Sequence, residues 1–420
     1  MALGRSGRKR SAALVLLASG LIGLVGCGDD ASEGGEGRVL TIYSSFPFQG
    51  APRSISTSTA NGIRLALKQV RHRAGDFHLR YVSLDDSTAQ AGNWTPEATS
   101  ANARKAAEDE TAIAYIGDFN SGATAISLPV LNEAGLAQVS PSNTAVGLTT
   151  DEPGADKGEP DKYYPSGKRT FVRIVPIDTI QGAALATLMR EDGCENVFIV
   201  NDEEVYGAGL ARNIERSAEA QGITVVGNSG IDPRSPNYRS IAARLETEGA
   251  ECFAFAGTTP NNAVALFKDV HAALPDARLY GGDGVSDSPF VDPSEGGIPP
   301  EVARKTKITV ATLPPEEYPP AGRRFFEDYE KAYDDATPEP YAVYGYEAAR
   351  LVIDAIRRAG ERGDERAAVV EQLFKTRGRE SVLGTYDIDE NGDTTLTTYG
   401  AYRIRDGLLS FDRTIEAPAN

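Results

Sequence analysis

Cysteine and histidine are scarce in this chain of 420 residues, with three of each. Cys27, Cys194 and Cys252 are too few and too widely spaced for a disulfide framework or a structural zinc site. His72, His78 and His271 are scattered, so neither a metal cluster nor a nucleophile–base pair suggests itself. No GxxxxGK[ST] phosphate loop and no GxSxG elbow occurs. Past residue 26, no run approaches the roughly 18 apolar residues that a spanning helix needs. Positive charge is short too: 43 Lys and Arg face 60 Asp and Glu, a net charge of −17. That balance argues against nucleic acid as a partner and against adhesion to anionic lipid heads. These absences point away from an enzyme, and no motif asks for a metal or cofactor.

What is present begins with an export signal. Arg5, Arg8, Lys9 and Arg10 precede an apolar stretch from Ala12 to Gly26, and residues 1–26 hold no acid. The apolar core, about 15 residues, is too short to span a bilayer comfortably. Leu24-Val25-Gly26-Cys27 resembles the lipobox of bacterial lipoproteins. The resemblance implies removal of 1–26, lipidation of Cys27 and attachment to the outer face of the cell membrane. An ordinary secretory signal with an incidental cysteine is the alternative. Losing the four basic leader residues would make the chain more acidic still, so membrane contact would come from the lipid. The rest of 27–37, GDDASEGGEG, has almost no apolar residue and reads as a flexible tether.

From Val39 onward, short apolar runs alternate with helical periodicities: strand Val39–Tyr43, helix Ala60–Arg71, strand His78–Leu84, helix Pro96–Glu108, strand Ile113–Gly117, helix Ser121–Asn132, strand Ala137–Ser140. After a polar stretch at 149–169, read as a surface excursion, the alternation restarts with helix Asp178–Glu191 and strand Asn196–Asn201. It runs on through helix Pro260–Leu274 to a strand at Lys307–Ala311. Repeated strand–helix–strand units mean parallel sheets with helices on both faces. The expected fold class is α/β, with two doubly wound parallel-sheet lobes joined by a hinge. Lobe 1 would take 38–174 with 313–398 returning to it, and lobe 2 would take 175–312 with 399–413 returning. Cys194 and Cys252 fall at the starts of the first and third strands of the second sheet, neighbours in a 2-1-3 order. A disulfide is therefore predicted, with two free buried thiols as the alternative.

In such sheets ligands bind beyond the carboxyl ends of strands. The loop Gly117–Thr124 and the run Val139–Thr144 put small and hydroxylated residues at two such ends, where amides and hydroxyls can converge on an anion. Simple helix capping by Ser or Thr explains them equally well. Asp387–Asp393 imitates the start of a calcium loop, but the twelfth position is Thr398, so a hairpin turn is expected. Asp85-Asp86 and Asp334-Asp335 read as solvated ends, and Asn93-Trp94-Thr95 as a chance sequon.

Five segments, Ser44–Gly50, Ile116–Thr124, Ser140–Thr144, Asn201–Ala211 and Gly281–Val285, together resemble the leucine/isoleucine/valine-binding proteins of type I periplasmic fold in order and spacing. The resemblance covers about Val39 to Phe411. It implies a solute-binding component of an ABC importer that works with permease subunits and closes on a branched-chain or related amino acid. It also implies site residues: Ser121, Ser142 and Thr144 for the ligand carboxylate, Asp283 for the ammonium, and Phe46, Phe48, Asn120, Asn143, Tyr206 and Thr258 along the cleft. Two departures put the ligand's side chain in question. Thr258 stands where the family has a tyrosine, and Asp283 where it usually has Glu. An amide, urea or aromatic-acid ligand, or a sensing rather than transporting role, stays open.

Overall fold

The computed structural model describes residues 38–335 and 337–416. The leader at 1–26, Cys27 and the tether lie outside the described residues. The first sheet is built from β1 (Val39–Phe46), β2 (Phe77–Asp85), β3 (Ala112–Gly117), β4 (Ala137–Ser140) and β5 (Phe171–Arg173). Between these strands come α1 (Arg53–Gln69), α2 (Pro96–Glu108) and α3 (Ser121–Glu133). The strand order is Arg73–Ala74, β2, β1, β3, β4, β5, parallel throughout except for the first pair. β1 is buried from Leu40 to Phe46 and β3 along its whole length, as strands covered on both faces must be.

The second sheet repeats the winding with β6 (Asn196–Asn201), β7 (Thr224–Gly230), β8 (Cys252–Ala256), β9 (Arg278–Gly281) and β10 (Thr306–Val310). Its helices are α4 (Asp178–Glu191), α5 (Val205–Ala220), α6 (Arg239–Thr247) and α7 (Ala263–Ala273). Then follow α8 (Pro320–Tyr333), α9 (Ala342–Ala359), α10 (Arg366–Phe374) and the hairpin β11 (Thr398–Arg405) and β12 (Leu408–Glu416). The order is β7-β6-β8-β9-β10-β11-β12, with the last two strands antiparallel. The fold is therefore two α/β lobes of the type I periplasmic kind. α9 lies along α1 at a crossing where Gly62 meets the Ala342 carbonyl and Gly345 meets the Thr59 carbonyl, so a Cβ at either would collide with backbone. β11 and β12 rejoin the second sheet.

Several boundaries differ from expectation, each for a physical reason. α1 starts at Arg53, seven residues before Ala60, because Ser56, Ser58 and Thr59 are buried; tertiary packing overrides their weak helix propensity. The helix expected at Pro260–Leu274 is a short 3-10 turn and then α7, separated by Asn262 in the left-handed region at φ 65°. The stretch 149–169 is not merely a surface excursion. Tyr163 and Tyr164 are buried beside Leu128, Leu148 and Phe171, and Tyr164 donates to the Leu148 carbonyl at 2.7 Å. Asp86 is not solvated either: it is fully buried and accepts from Ser45 Oγ at 3.0 Å, and burial and then the nearby Asp118 charge raise its acid well above the usual range.

Residues 387–393 form a tight turn in which Asp389 Oδ1 accepts the N–H groups of Asn391, Gly392 and Asp393 at 2.8–2.9 Å. Cys194 and Cys252 are bonded, with Cα atoms 6.1 Å apart, at the amino ends of β6 and β8 and so away from the ends where loops carry recognition.

Candidate ligand-binding site

Loops from the carboxyl ends of both sheets enclose a cavity of about 40 Å³. From the first lobe come Phe119, Asn120 and Ser121 after β3, and Ser142 and Thr144 after β4. From the second come Tyr206 at the start of α5, Thr258 after β8, and Asp283 and Gly284 after β9; Tyr341 enters at the start of α9.

The first-lobe wall is a set of donors. α3 begins at Ser121, and its N-cap residue Asn120 makes no side-chain capping hydrogen bond, so the positive end of the helix dipole stands at this wall without a capping side chain. Ser121 Oγ has a single long contact, 3.4 Å from the Ala145 amide. Ser142 Oγ donates to the Phe119 carbonyl at 2.7 Å, tying the two loops together. Among the described residues Thr144 Oγ1, Asn120 Oδ1 and Thr258 Oγ1 are buried with no hydrogen-bond partner. Such atoms are costly unless something completes them.

The second-lobe wall is acidic. Asp283 Oδ1 accepts from Tyr206 Oη at 2.7 Å and from Gln181 Nε2 at 2.8 Å, and Oδ2 accepts from Tyr341 Oη. Among the described residues no basic side chain lines the cavity. Behind it Asp178, at the start of α4, is fully buried, and neither carboxylate oxygen has a partner among the described residues. Burial first, and the Asp283 charge second, hold its acid well above the usual carboxylate range.

Seven of the expected residues, Asn120, Ser121, Ser142, Thr144, Tyr206, Thr258 and Asp283, are thus brought to one cavity. Phe46, Phe48 and Asn143 do not line it. The pleat of β1 turns Phe46 fully into the core, where it packs edge-on against Phe48 and Phe119 with centroids 6.3 Å from each. Asn143 is a brace: its amide donates to the carbonyls of Asp118 at 3.1 Å and Phe119 at 2.9 Å. Phe119, Gly284, Tyr341 and Asp178 escaped sequence reasoning. Phe119 lies inside the quoted Gly117–Thr124 loop, whereas Tyr341 comes from a segment with no glycine or hydroxyl signature. A larger, open depression of about 970 Å³ lies at the opposite end of the second sheet, next to the disulfide and lined largely by charged side chains. It lies away from the carboxyl strand ends, where ligands bind in such sheets.

Two parallel-sheet lobes with a cavity between their carboxyl edges are the architecture of a type I periplasmic binding protein. The chain matches the periplasmic binding protein family over residues 43–407 and belongs to it. It is similar to the Leu/Ile/Val-binding protein BraC3 of Rhizobium johnstonii, 24% identical over 376 residues that cover 88% of this chain and 93% of that one. Among solved structures it resembles the leucine binding protein LivK of Thermotoga maritima, at a TM-score of 0.77 and 21% identity over 90% of this chain and 99% of that one. It also resembles a solute binding protein of R. palustris in complex with benzoate, at a TM-score of 0.73 and 18% identity over 90% and 97% of the two chains.

Proposed function

We propose that the chain is the exported, lipid-anchored solute-binding component of an ABC importer, closing on an α-amino acid with an apolar side chain and performing no chemistry on it. The observation that carries this is the opposition across the cavity: hydroxyls and helix-start amides on one lobe, a carboxylate without a basic partner on the other. An amino acid presents one anion and one cation a few Å apart, and each lobe takes one end. Ser121, Thr144 and the amides near Ser142 hold the carboxylate, while Asp283, with Asp178 behind it, holds the ammonium. The Phe119–Tyr341 edge pair, centroids 5.5 Å apart, gives the side chain an aromatic wall. Charge-assisted hydrogen bonds contribute roughly 1.5–3 kcal/mol each. Three or four offset the closure costs and leave about −8 kcal/mol, micromolar binding. In this reading the lobes are 38–174 with 313–398 and 175–312 with 399–413, the ligand biases the hinge between them, and the closed form is what permease subunits recognise.

A second reading takes an aromatic acid, favoured by that same aromatic wall and by the benzoate-bound neighbour. Against it stands the lining, which would set an anionic ligand before Asp283 with no cation to offset the repulsion. A thermal-shift screen of the purified protein separates the two, because a ligand that binds only the native state raises its melting temperature. Leucine, isoleucine and valine should raise it well beyond benzoate and 4-methylpentanoate. The reverse pattern would replace the amino-acid reading with the aromatic-acid one.

A further inference from the structure

Arg173 ends β5, the edge strand of the first sheet, beside Ser140 at the end of β4. Its side chain is fully buried, yet it is no part of the cavity lining. A buried guanidinium is costly unless its N–H groups and its charge are matched, so its partners matter. Nη1 donates to two carbonyls, those of Asn143 at 3.1 Å and Ala145 at 2.8 Å. These residues stand on either side of Thr144. Nε donates to Asp393 Oδ1 at 2.5 Å, and Nη2 donates to Thr149 Oγ1, whose hydroxyl in turn donates to Asp393 Oδ2 at 2.9 Å.

Asp393 comes from the turn at 387–393, 220 positions along the chain. The three amides that converge on Asp389 Oδ1 set the shape of that turn, and the Gly392 carbonyl accepts the Arg173 N–H at 2.9 Å. Acidic residues that imitate cation ligands in the sequence thus serve otherwise: one folds the turn, and another holds an arginine.

A trans peptide points its N–H opposite to its carbonyl. With the Asn143 carbonyl fixed on Nη1, the Thr144 N–H is turned away from the guanidinium, and among the described residues it has no hydrogen-bond partner. The Thr144 carbonyl is held separately, by the Asp178 N–H at 2.8 Å. The backbone of Thr144 is therefore fixed from both sides while its N–H and its hydroxyl stay uncommitted.

We propose that Arg173 is the positioning residue of the first-lobe wall. It clamps the carbonyls flanking Thr144 and, braced by Asp393 and Thr149, presents the Thr144 N–H and hydroxyl to the ligand carboxylate without touching the ligand. This rests on the reading that this wall holds a carboxylate, which the amino-acid and aromatic-acid readings share. The fork is what acts, rather than the charge: a lysine keeps the charge, but its compact ammonium cannot span both carbonyls, Thr149 and Asp393.

Calorimetric titration with leucine and with benzoate tests this. For whichever of the two binds the wild type, Arg173→Lys should weaken binding by about tenfold, the scale of one hydrogen bond to the ligand. Thr149→Val leaves both charges of the buried pair in place, should weaken binding less, and keeps the test open where the lysine variant fails to fold. Coupling separates positioning from general damage to the lobe. With Thr144→Ala, the combined loss of Thr149→Val should fall short of the product of the single losses by more than about twofold, the scatter of independent sites. With Tyr206→Phe, on the other lobe, the losses should simply multiply. Unchanged affinity in Arg173→Lys and Thr149→Val, or losses that multiply in both pairs, would overturn the proposal. If neither ligand binds the wild type, the carboxylate reading fails, and hydrogen exchange of the ligand-free protein still decides whether the clamp exists. Amides in 142–146 should then exchange faster in Thr149→Val than in wild type, with those in 196–201 unchanged; equal exchange at 142–146 would overturn it.

Discussion

Ser121 and Thr144 reach the cavity from different loops, and neither hydroxyl is tied to a strong partner inside the protein. Both are buried, and the backbone around them is held by other groups, Thr124 N–H to the Asn120 carbonyl and Asp178 N–H to the Thr144 carbonyl, so removing the hydroxyl should leave the fold intact. Ser121→Ala and Thr144→Ala should each weaken binding of the amino acid by about 1–3 kcal/mol, with melting of the free protein nearly unchanged. Isothermal calorimetry on both variants checks it, and less than a twofold loss in both would reduce these residues to caps. This wall was named in the sequence through the family resemblance of its loops, because small hydroxylated residues following a buried β-run serve equally well as helix caps. Tyr341 was not: its hydroxyl reaches Asp283 across a separation of 58 residues through the placement of α9, which no local pattern encodes. Asp178 was also missed, since an Asp opening a helix looks like an ordinary complement to the helix dipole; only its complete burial beside a second carboxylate distinguishes it.

At the scale of elements, the α1–α9 contact fixes where Tyr341 stands. Gly345 is one of two points of close approach, facing the Thr59 carbonyl, with the Thr59 side-chain methyl also close to any added Cβ. Alanine is intrinsically better than glycine inside a helix by about 1 kcal/mol, so the sign of Gly345→Ala is diagnostic. A net destabilisation of about 1–3 kcal/mol is expected from the forced separation of the helices, read from urea unfolding midpoints at unchanged m-value. A variant more stable than wild type would show that the two helices are not in tight contact there. The alternation of apolar runs and helical patterns sufficed for the main strands, including Ala137–Ser140 and Asn196–Asn201, which match residue for residue. It failed for β5, three residues long, and for β12, which is largely half-buried and never produces a clean run. Asn262 likewise breaks a helical pattern by its backbone conformation alone.

For the molecule as a whole, the proposed function has recognition depend on bringing two half-sites together, donors on one lobe and Asp283 on the other, with Tyr341 bonded to Asp283 between them. If each end of an amino acid bridges to its own lobe, the ammonium contributes only through Asp283's charge. Asp283→Asn should then leave that ammonium poorly paired, a loss of about 2–5 kcal/mol. A ligand lacking the ammonium has nothing to lose there and should bind the variant as well as or better than the wild type. The decisive measurement is calorimetric titration of wild type and Asp283→Asn with leucine and with its deaminated analogue 4-methylpentanoate, taken as a double difference so that general damage to the lobe cancels. A large loss for leucine with none for the deaminated acid is the expected result; equal losses for the two ligands would contradict the ammonium role of Asp283 and, with it, the amino-acid reading of the cleft.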